Sequence, residues 1–200
     1  MTRFPTRAAA VAFLAGLAFT GAAHAQAQQQ DRPQAQEQQQ QQQQGQRAPK
    51  QVLKSTHGAW EIHCLEGTEA CAMQQLGNTA DGQRALLVTI QRLAGVTAEG
   101  RPVPAALTVN TPIGVLIPYG VRVRVDDGNV APVPLLRCLP DNCAARAPLA
   151  EDAVEDFKEG STATFGFFLQ EEVLVEISLN GFTAAYNALK PVQAQAQDQN

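Results

Sequence analysis

The stretch Thr111–Gly128, TPIGVLIPYGVRVRVDDG, constrains this chain more than any other. Ile113, Val115 and Ile117 alternate with smaller or polar positions, and so do Val121, Val123 and Val125. Pro118-Tyr119-Gly120 separates the two runs. Period-two alternation broken by turn residues predicts two half-buried strands joined by a turn. In the second run the outward positions are Arg122, Arg124 and Asp126, so one face is oily and the other charged. That is the pattern of a sheet with one face on a core and one in water. Asp127-Gly128-Asn129 turns the chain again.

The rest of the chain repeats the theme. Ala59–Cys64 is a short predicted strand with Trp60, Ile62 and Cys64 on one face, and its lone Trp is the expected core anchor. Cys71–Leu76 should return as its hairpin partner. Arg84–Leu93 places Leu86, Val88 and Ile90 on one face, and Ala106–Asn110 leads into the central pair. Gly95–Pro104 reads as a loop. Val130–Cys138 contains Pro132 and Pro134, which restricts it to an edge or a bulged strand. Ser161–Leu169 and Val173–Leu179 alternate around a Gln170-Glu171-Glu172 turn, and Asn180-Gly181 closes the second.

Helix is scarce. Pro148–Lys158 begins with a proline and acids and ends before Gly160, with Leu149, Ala153, Val154 and Phe157 on one side. Phe182–Leu189 is a short helical cover. Many short strands with few helices predict a mainly β fold, an antiparallel two-sheet β-sandwich with one or two short helices.

The domain occupies residues 52–192, about 140 residues, enough to bury about two-thirds of its unfolded surface. Residues 1–25 read as a secretory signal peptide. Arg3 and Arg7 precede an apolar run from Ala8 to Thr20, and Ala23-His24-Ala25 fits small-residue cleavage. The run is shorter than the roughly 20 residues that span a bilayer. The mature chain is therefore expected to begin near Gln26, with no transmembrane span, in the periplasm, on the outer surface or secreted. Residues 26–51 are a Gln-rich tether with no apolar residue larger than Ala before Val52, which cannot offset its ordering entropy, and 193–200 form a shorter tail. Losing Arg3 and Arg7 takes the formal net charge from −4 to −6. Such an acidic chain lacks the basic stripe of a nucleic-acid binder.

Four cysteines in an exported chain imply two disulfides, with three possible connectivities. Cys64 and Cys71 bracket Glu66-Gly67-Thr68-Glu69, and Cys138 and Cys143 bracket Pro140-Asp141-Asn142. Turn residues inside each pair favour the local pairings. Neither pair has the tight spacing of a zinc knuckle or a redox motif.

No residue is singled out as catalytic, cofactor-binding or metal-ligating. His57, Glu61 and His63 lack helical metal-site spacing, and no nucleophile elbow, phosphate loop or zincin motif occurs. Glu151, Asp152, Glu155 and Asp156 read as a solvated helix face. Arg122 and Arg124 are the candidate partner-binding residues: two guanidiniums on one sheet face suit an acidic partner or a glycan, although cross-strand pairing with acids would serve as well.

Five features together resemble the invasion-associated locus B family of exported bacterial proteins. They are Gly58-x-Trp60-x-x-x-Cys64 followed by Cys71, the central PIGVLIPYGVRVRVDDG, the Cys138-x4-Cys143 pair, Lys158-Glu159-Gly160, and Ile177-Ser178-Leu179-Asn180-Gly181-Phe182-Thr183. The resemblance runs from Gly58 to Leu189. It implies a β-sandwich-like periplasmic or surface protein without known enzymatic activity or cofactor, some of whose members are linked to host-cell attachment or entry. What it carries over is the two cysteine pairs and the glycine and aromatic framework. The expected function is thus a non-enzymatic exported binding protein with a protein or cell-surface partner. The alternative is a periplasmic envelope-maintenance factor or a hydrolase with a site assembled by the fold.

Overall fold

A computed structural model of the chain describes residues 50–96 and 100–193. The signal peptide, the tether up to residue 49 and the tail beyond residue 193 lie outside the described residues.

Two antiparallel sheets pack face to face. The large sheet begins with β1 (Gln51–His57), β2 (Trp60–Leu65), β3 (Cys71–Asn78), β4 (Arg84–Ala94) and β5 (Ala105–Thr111), each paired to the one before. It is completed by β9 (Cys143–Leu149) beside β5, and by β8 (Leu135–Cys138) at the edge. A short β12 (Val192–Gln193) runs parallel to the end of β4. The small sheet has the order β11 (Glu172–Ser178), β10 (Thr162–Phe168), β6 (Val121–Val125), β7 (Ala131–Val133). Helices α1 (Glu151–Glu159) and α2 (Phe182–Ala188) complete the fold.

Alternation explains the core. Trp60, Ile62, Met73, Val88 and Ile90 of the large sheet face Val121, Phe165, Phe167, Val175 and Ile177 of the small one, all 2 % exposed or less. Trp60 joins the layers. Its Nε1–H donates to the Ser178 carbonyl at 3.0 Å, and its ring meets Phe182 of α2 edge-on at 5.3 Å. Truncating an indole buried like this costs about 3–5 kcal/mol. Phe157 of α1 and Tyr186 of α2 pack on the same Phe182 ring.

The central pair departs from expectation. Val121–Val125 is a strand with Val121 and Val123 buried, but Ile113–Ile117 is not a strand. Pro112 offers no N–H to a ladder, Gly114 takes φ +91°, and Ile117–Tyr119 winds into a single 3-10 turn. The segment is a crossing loop that carries the chain from β5 in the large sheet to β6 in the small one. Val115 plugs the end of the core, and the Leu116 N–H reaches the Phe168 carbonyl at 2.8 Å. The strand partners of β6 are β10 and β7.

Two other elements differ. The α1 helix starts at Glu151, because Pro148 and Leu149 belong to the end of β9, where Pro148 lies opposite Ala106. Strand β1 includes Gln51. Val130–Cys138 divides at Pro134 into β7 and β8, each at the edge of a different sheet. The register slips between Leu135 and Arg137, a bulge that blunts the β8 edge.

Asp126 closes the small sheet. It sits at φ 44°, and its two carboxylate oxygens accept the N–H groups of Ser161 and Thr162 at 3.0 and 2.9 Å. Those bonds fix the chain leaving α1 against the end of β6.

Candidate partner-binding face

The period of β6 turns Val121 and Val123 into the core and leaves Arg122 and Arg124 on the outer face of the small sheet. Across β10, Gly166 lies opposite Arg122 and Thr164 opposite Arg124. Across β11, Leu174 lies opposite Gly166 and Glu176 opposite Thr164. Two cross-strand rows result. Gly166 interrupts the first with no side chain, and a shallow groove of about 210 Å³ opens there, lined by Arg122, Arg124, Val130, Thr164, Glu172 and Leu174. The Leu174 and Glu172 side chains overhang the glycine: a Cβ on Gly166 would stand 3.1 Å from Leu174 Cδ2 and 3.3 Å from Glu172 Oε1.

The two arginines differ in state. Arg122 forms an ion pair with Glu172 and lies over the Phe168 ring, 5.1 Å from its centroid. Both partners of that pair are about two-fifths exposed, so it contributes at most about 1 kcal/mol. Arg124 is exposed and has no carboxylate partner among the described residues. Glu176, two strands away in the same row, forms no ion pair with it.

The crossing loop extends this face. Ile117 is 67 % exposed, Tyr119 60 % and Ile113 56 %. The Tyr119 ring tilts against Phe168 at 4.9 Å, beside the Arg122–Glu172 pair. Tyr119, Phe168 and Arg122 thus touch in sequence, and Arg122 leads into the groove. Leu174 and Val130 add two more exposed aliphatic side chains. Exposed aromatic, aliphatic and arginine side chains gathered on one face are the composition of interaction hot spots.

The other residues marked in the sequence do not converge. His63 Nε2 meets Glu61 at 2.8 Å, while His57 meets Ser55 at 3.2 Å. Along the β1–β2 ladder His57 lies opposite Trp60 and His63 opposite Leu53, so the two rings are apart. Among the described residues no three His, Cys, Asp or Glu side chains are arranged to hold a metal. Cys64–Cys71 and Cys138–Cys143 are disulfides, each linking directly opposite residues of a hairpin, β2–β3 and β8–β9. Glu155 pairs with Lys158, whose ammonium also lies over the Tyr186 ring of α2. Asp152 and Asp156 border a second cleft of about 590 Å³ between α1 and the end of β6, floored by Val123, Leu149 and Phe157. Its lining holds carboxylates but no histidine, serine or cysteine to act with them.

Sequence reading missed Tyr119, Phe168, Gly166 and Leu174 as parts of one face. The available signal was Leu174, an apolar residue between Glu172 and Glu176 at the outward positions of β11.

Fold and surface define a disulfide-stapled β-sandwich with an exposed apolar and arginine face. The family model for invasion associated locus B (IalB) protein matches residues 60–190, and the chain belongs to that family. Two Brucella abortus proteins, from strain 2308 and from biovar 1 strain 9-941, are each named invasion protein B homolog. Each is 27 % identical to this chain over 144 residues, covering 69 % of this chain and 79 % of the relative. The crystal structure of invasion associated protein B from Bartonella henselae superposes with a TM-score of 0.55 at 23 % identity, covering 69 % of this chain and 96 % of that one. At that identity the likeness establishes the fold.

Proposed function

We propose that this chain is an exported binding protein that engages a protein partner through the outer face of the small sheet, and that this contact serves attachment to, or invasion of, a host cell. The observation that carries the reading is the run of contacts from Tyr119 over Phe168 to Arg122 and the groove lined by Leu174, with exposed Ile117 in the same turn as Tyr119. Exposed apolar surface costs solubility and aggregation resistance, and an interface is the usual reason it is kept. The family name supports the invasion role. The signal-like N-terminus and the two disulfides support export to an oxidising compartment. No helix among the described residues is long and apolar enough to cross a membrane.

The test has two arms. Protease or antibody accessibility of the folded domain is compared on intact and outer-membrane-permeabilised cells. Attachment to host cells is then measured with wild-type chain and with the double variant Ile117→Asp, Tyr119→Ala. Labelling on intact cells and at least fivefold lower attachment by the variant is the expected result. Labelling only after permeabilisation, with unchanged attachment, transfers the chain to the envelope-maintenance reading.

A further inference from the structure

We infer that the groove beside Gly166 receives an extended acidic segment of the partner protein. One carboxylate of that segment binds Arg124, and an aliphatic side chain two positions along rests on Leu174. This rests on the reading that the outer face of the small sheet is the docking face, and it names the chemistry of what docks there.

Charge supplies the first half of the argument. Arg122 is already committed to Glu172 and to the Phe168 ring. Arg124 has no carboxylate among the described residues and is exposed. A guanidinium presents a planar fork of donors that matches a carboxylate with two parallel hydrogen bonds. Thr164, directly opposite Arg124 on β10, sets a hydroxyl beside the same spot. Glu176 at the far end of this row forms no ion pair with Arg124, so a carboxylate brought by a partner can take the guanidinium.

Spacing supplies the second half. Arg124 and Thr164 form one cross-strand row, and Gly166 and Leu174 belong to the next, two residues along the strands. In an extended peptide, side chains two residues apart point the same way and are separated by about 6.5–7 Å, the same interval. A segment lying over β10 thus places an acidic residue at Thr164, beside Arg124 in the same row, and its second neighbour at Gly166, which the Leu174 side chain overhangs. Leu174 is 59 % exposed and Val130 58 %, which gives that aliphatic side chain apolar surface to cover.

Size and charge disfavour two other occupants. At about 210 Å³ the groove falls below the roughly 300–1,000 Å³ of small-molecule sites, so it suits side chains rather than a cofactor. With one uncommitted arginine on a chain of net charge −4, it does not suit a phosphate backbone.

The experiment is a nitrogen-15 NMR titration of the oxidised full chain with three peptides: acetyl-Ser-Glu-Thr-Leu-Ser-amide, its Gln analogue at the acidic position, and its Ser analogue at the Leu position. The Glu–Leu peptide should shift the amides of Arg124, Thr164, Gly166 and Leu174, and each analogue should bind at least fivefold more weakly. The variant Arg124→Gln should bind the Glu and Gln peptides equally, and Leu174→Ser should bind the Leu and Ser peptides equally. Both residues are exposed, so neither variant threatens folding. Equal binding of the Glu and Gln peptides by the wild type overturns the proposal. So does a response confined to Ile117 and Tyr119, which leaves the docking face itself standing. Self-association of the wild type that Arg124→Gln abolishes assigns the acidic segment to a second copy and overturns the separate partner. No response to any peptide rejects the groove, while the attachment test with the Ile117 and Tyr119 variant still decides the face.

Discussion

Gly58 and Gly181 meet backbone to backbone. A Cβ on Gly181 would stand 2.1 Å from the His57 carbonyl oxygen, and one on Gly58 would stand 2.5 Å from that of Asn180. Both residues have positive φ, +58° and +86°. The Ala59 N–H donates to the Asn180 carbonyl at 3.0 Å in the same contact. The β1–β2 turn is thereby held against the β11–α2 turn, next to the bond from Trp60 to Ser178. Two turns from the two sheets approach this closely because neither carries a side chain at the point of contact.

That contact yields the first prediction. Gly181→Ala must distort two backbones as well as accept a left-handed alanine, and should lose at least about 3 kcal/mol of stability. Gly82 offers the control. It has φ +83° with nothing within 4 Å of a built Cβ, so Gly82→Ala should cost only about 1–2 kcal/mol. Urea unfolding followed by the fluorescence of Trp60, the chain's single tryptophan, measures both. Equal losses in the two variants would show that the turns are not clasped.

The second prediction concerns the hairpin staples. Cys64–Cys71 and Cys138–Cys143 close loops with sequence separations of 7 and 5. Loops this short contribute about 2–2.5 kcal/mol each in the chain-entropy account. Cys64 and Cys71 are both buried, whereas Cys138 is exposed at the end of edge strand β8. Mild reductant should therefore open Cys138–Cys143 first, and each opening should lower the thermal midpoint by about 5–10 °C. Peptide mapping of partially reduced protein gives the order. Simultaneous loss of both bridges, or a peptide joining Cys64 to Cys138, contradicts it.

How much of this was legible in the sequence depended on the size of the inward side chains and the distance to their partners. In β4, Leu86, Val88 and Ile90 announce the strand. In β9 the inward positions include Cys143 and Ala145, too small to register as an apolar period although both are buried. Strand β1 lies at an edge with most of its residues exposed, so it has no apolar face to detect. The Ile113–Ile117 run has the right period, but Pro112 and Gly114 deny it a ladder. At the candidate site, alternation alone placed Arg122 and Arg124 outward. Their neighbours could not be read locally. Gly166 and Leu174 lie more than forty residues along the chain and join the arginines only through the β6–β10–β11 pairing.

The third prediction follows from Tyr186. Its ring is buried, 4 % exposed, and its hydroxyl donates to the Pro104 carbonyl at 3.1 Å. Burial pushes the phenol above the ordinary tyrosine value of 10, while Arg92 and Lys158 over the ring pull part of the way back. The unfolded chain loses this proton near pH 10, and the folded chain holds it to higher pH. Between those values the unfolded state binds fewer protons than the folded one, so stability must fall as pH rises. Below pH 10 both states keep the proton and the contribution is complete. Tyr186→Phe removes the hydrogen bond, a loss of about 1 kcal/mol while the wild-type phenol is protonated, and should also remove this slope. Urea midpoints from pH 8 to pH 11 for the two proteins test the difference. Parallel curves throughout would mean that some other group sets the alkaline limit, and curves that converge as the pH rises would identify Tyr186 as its source.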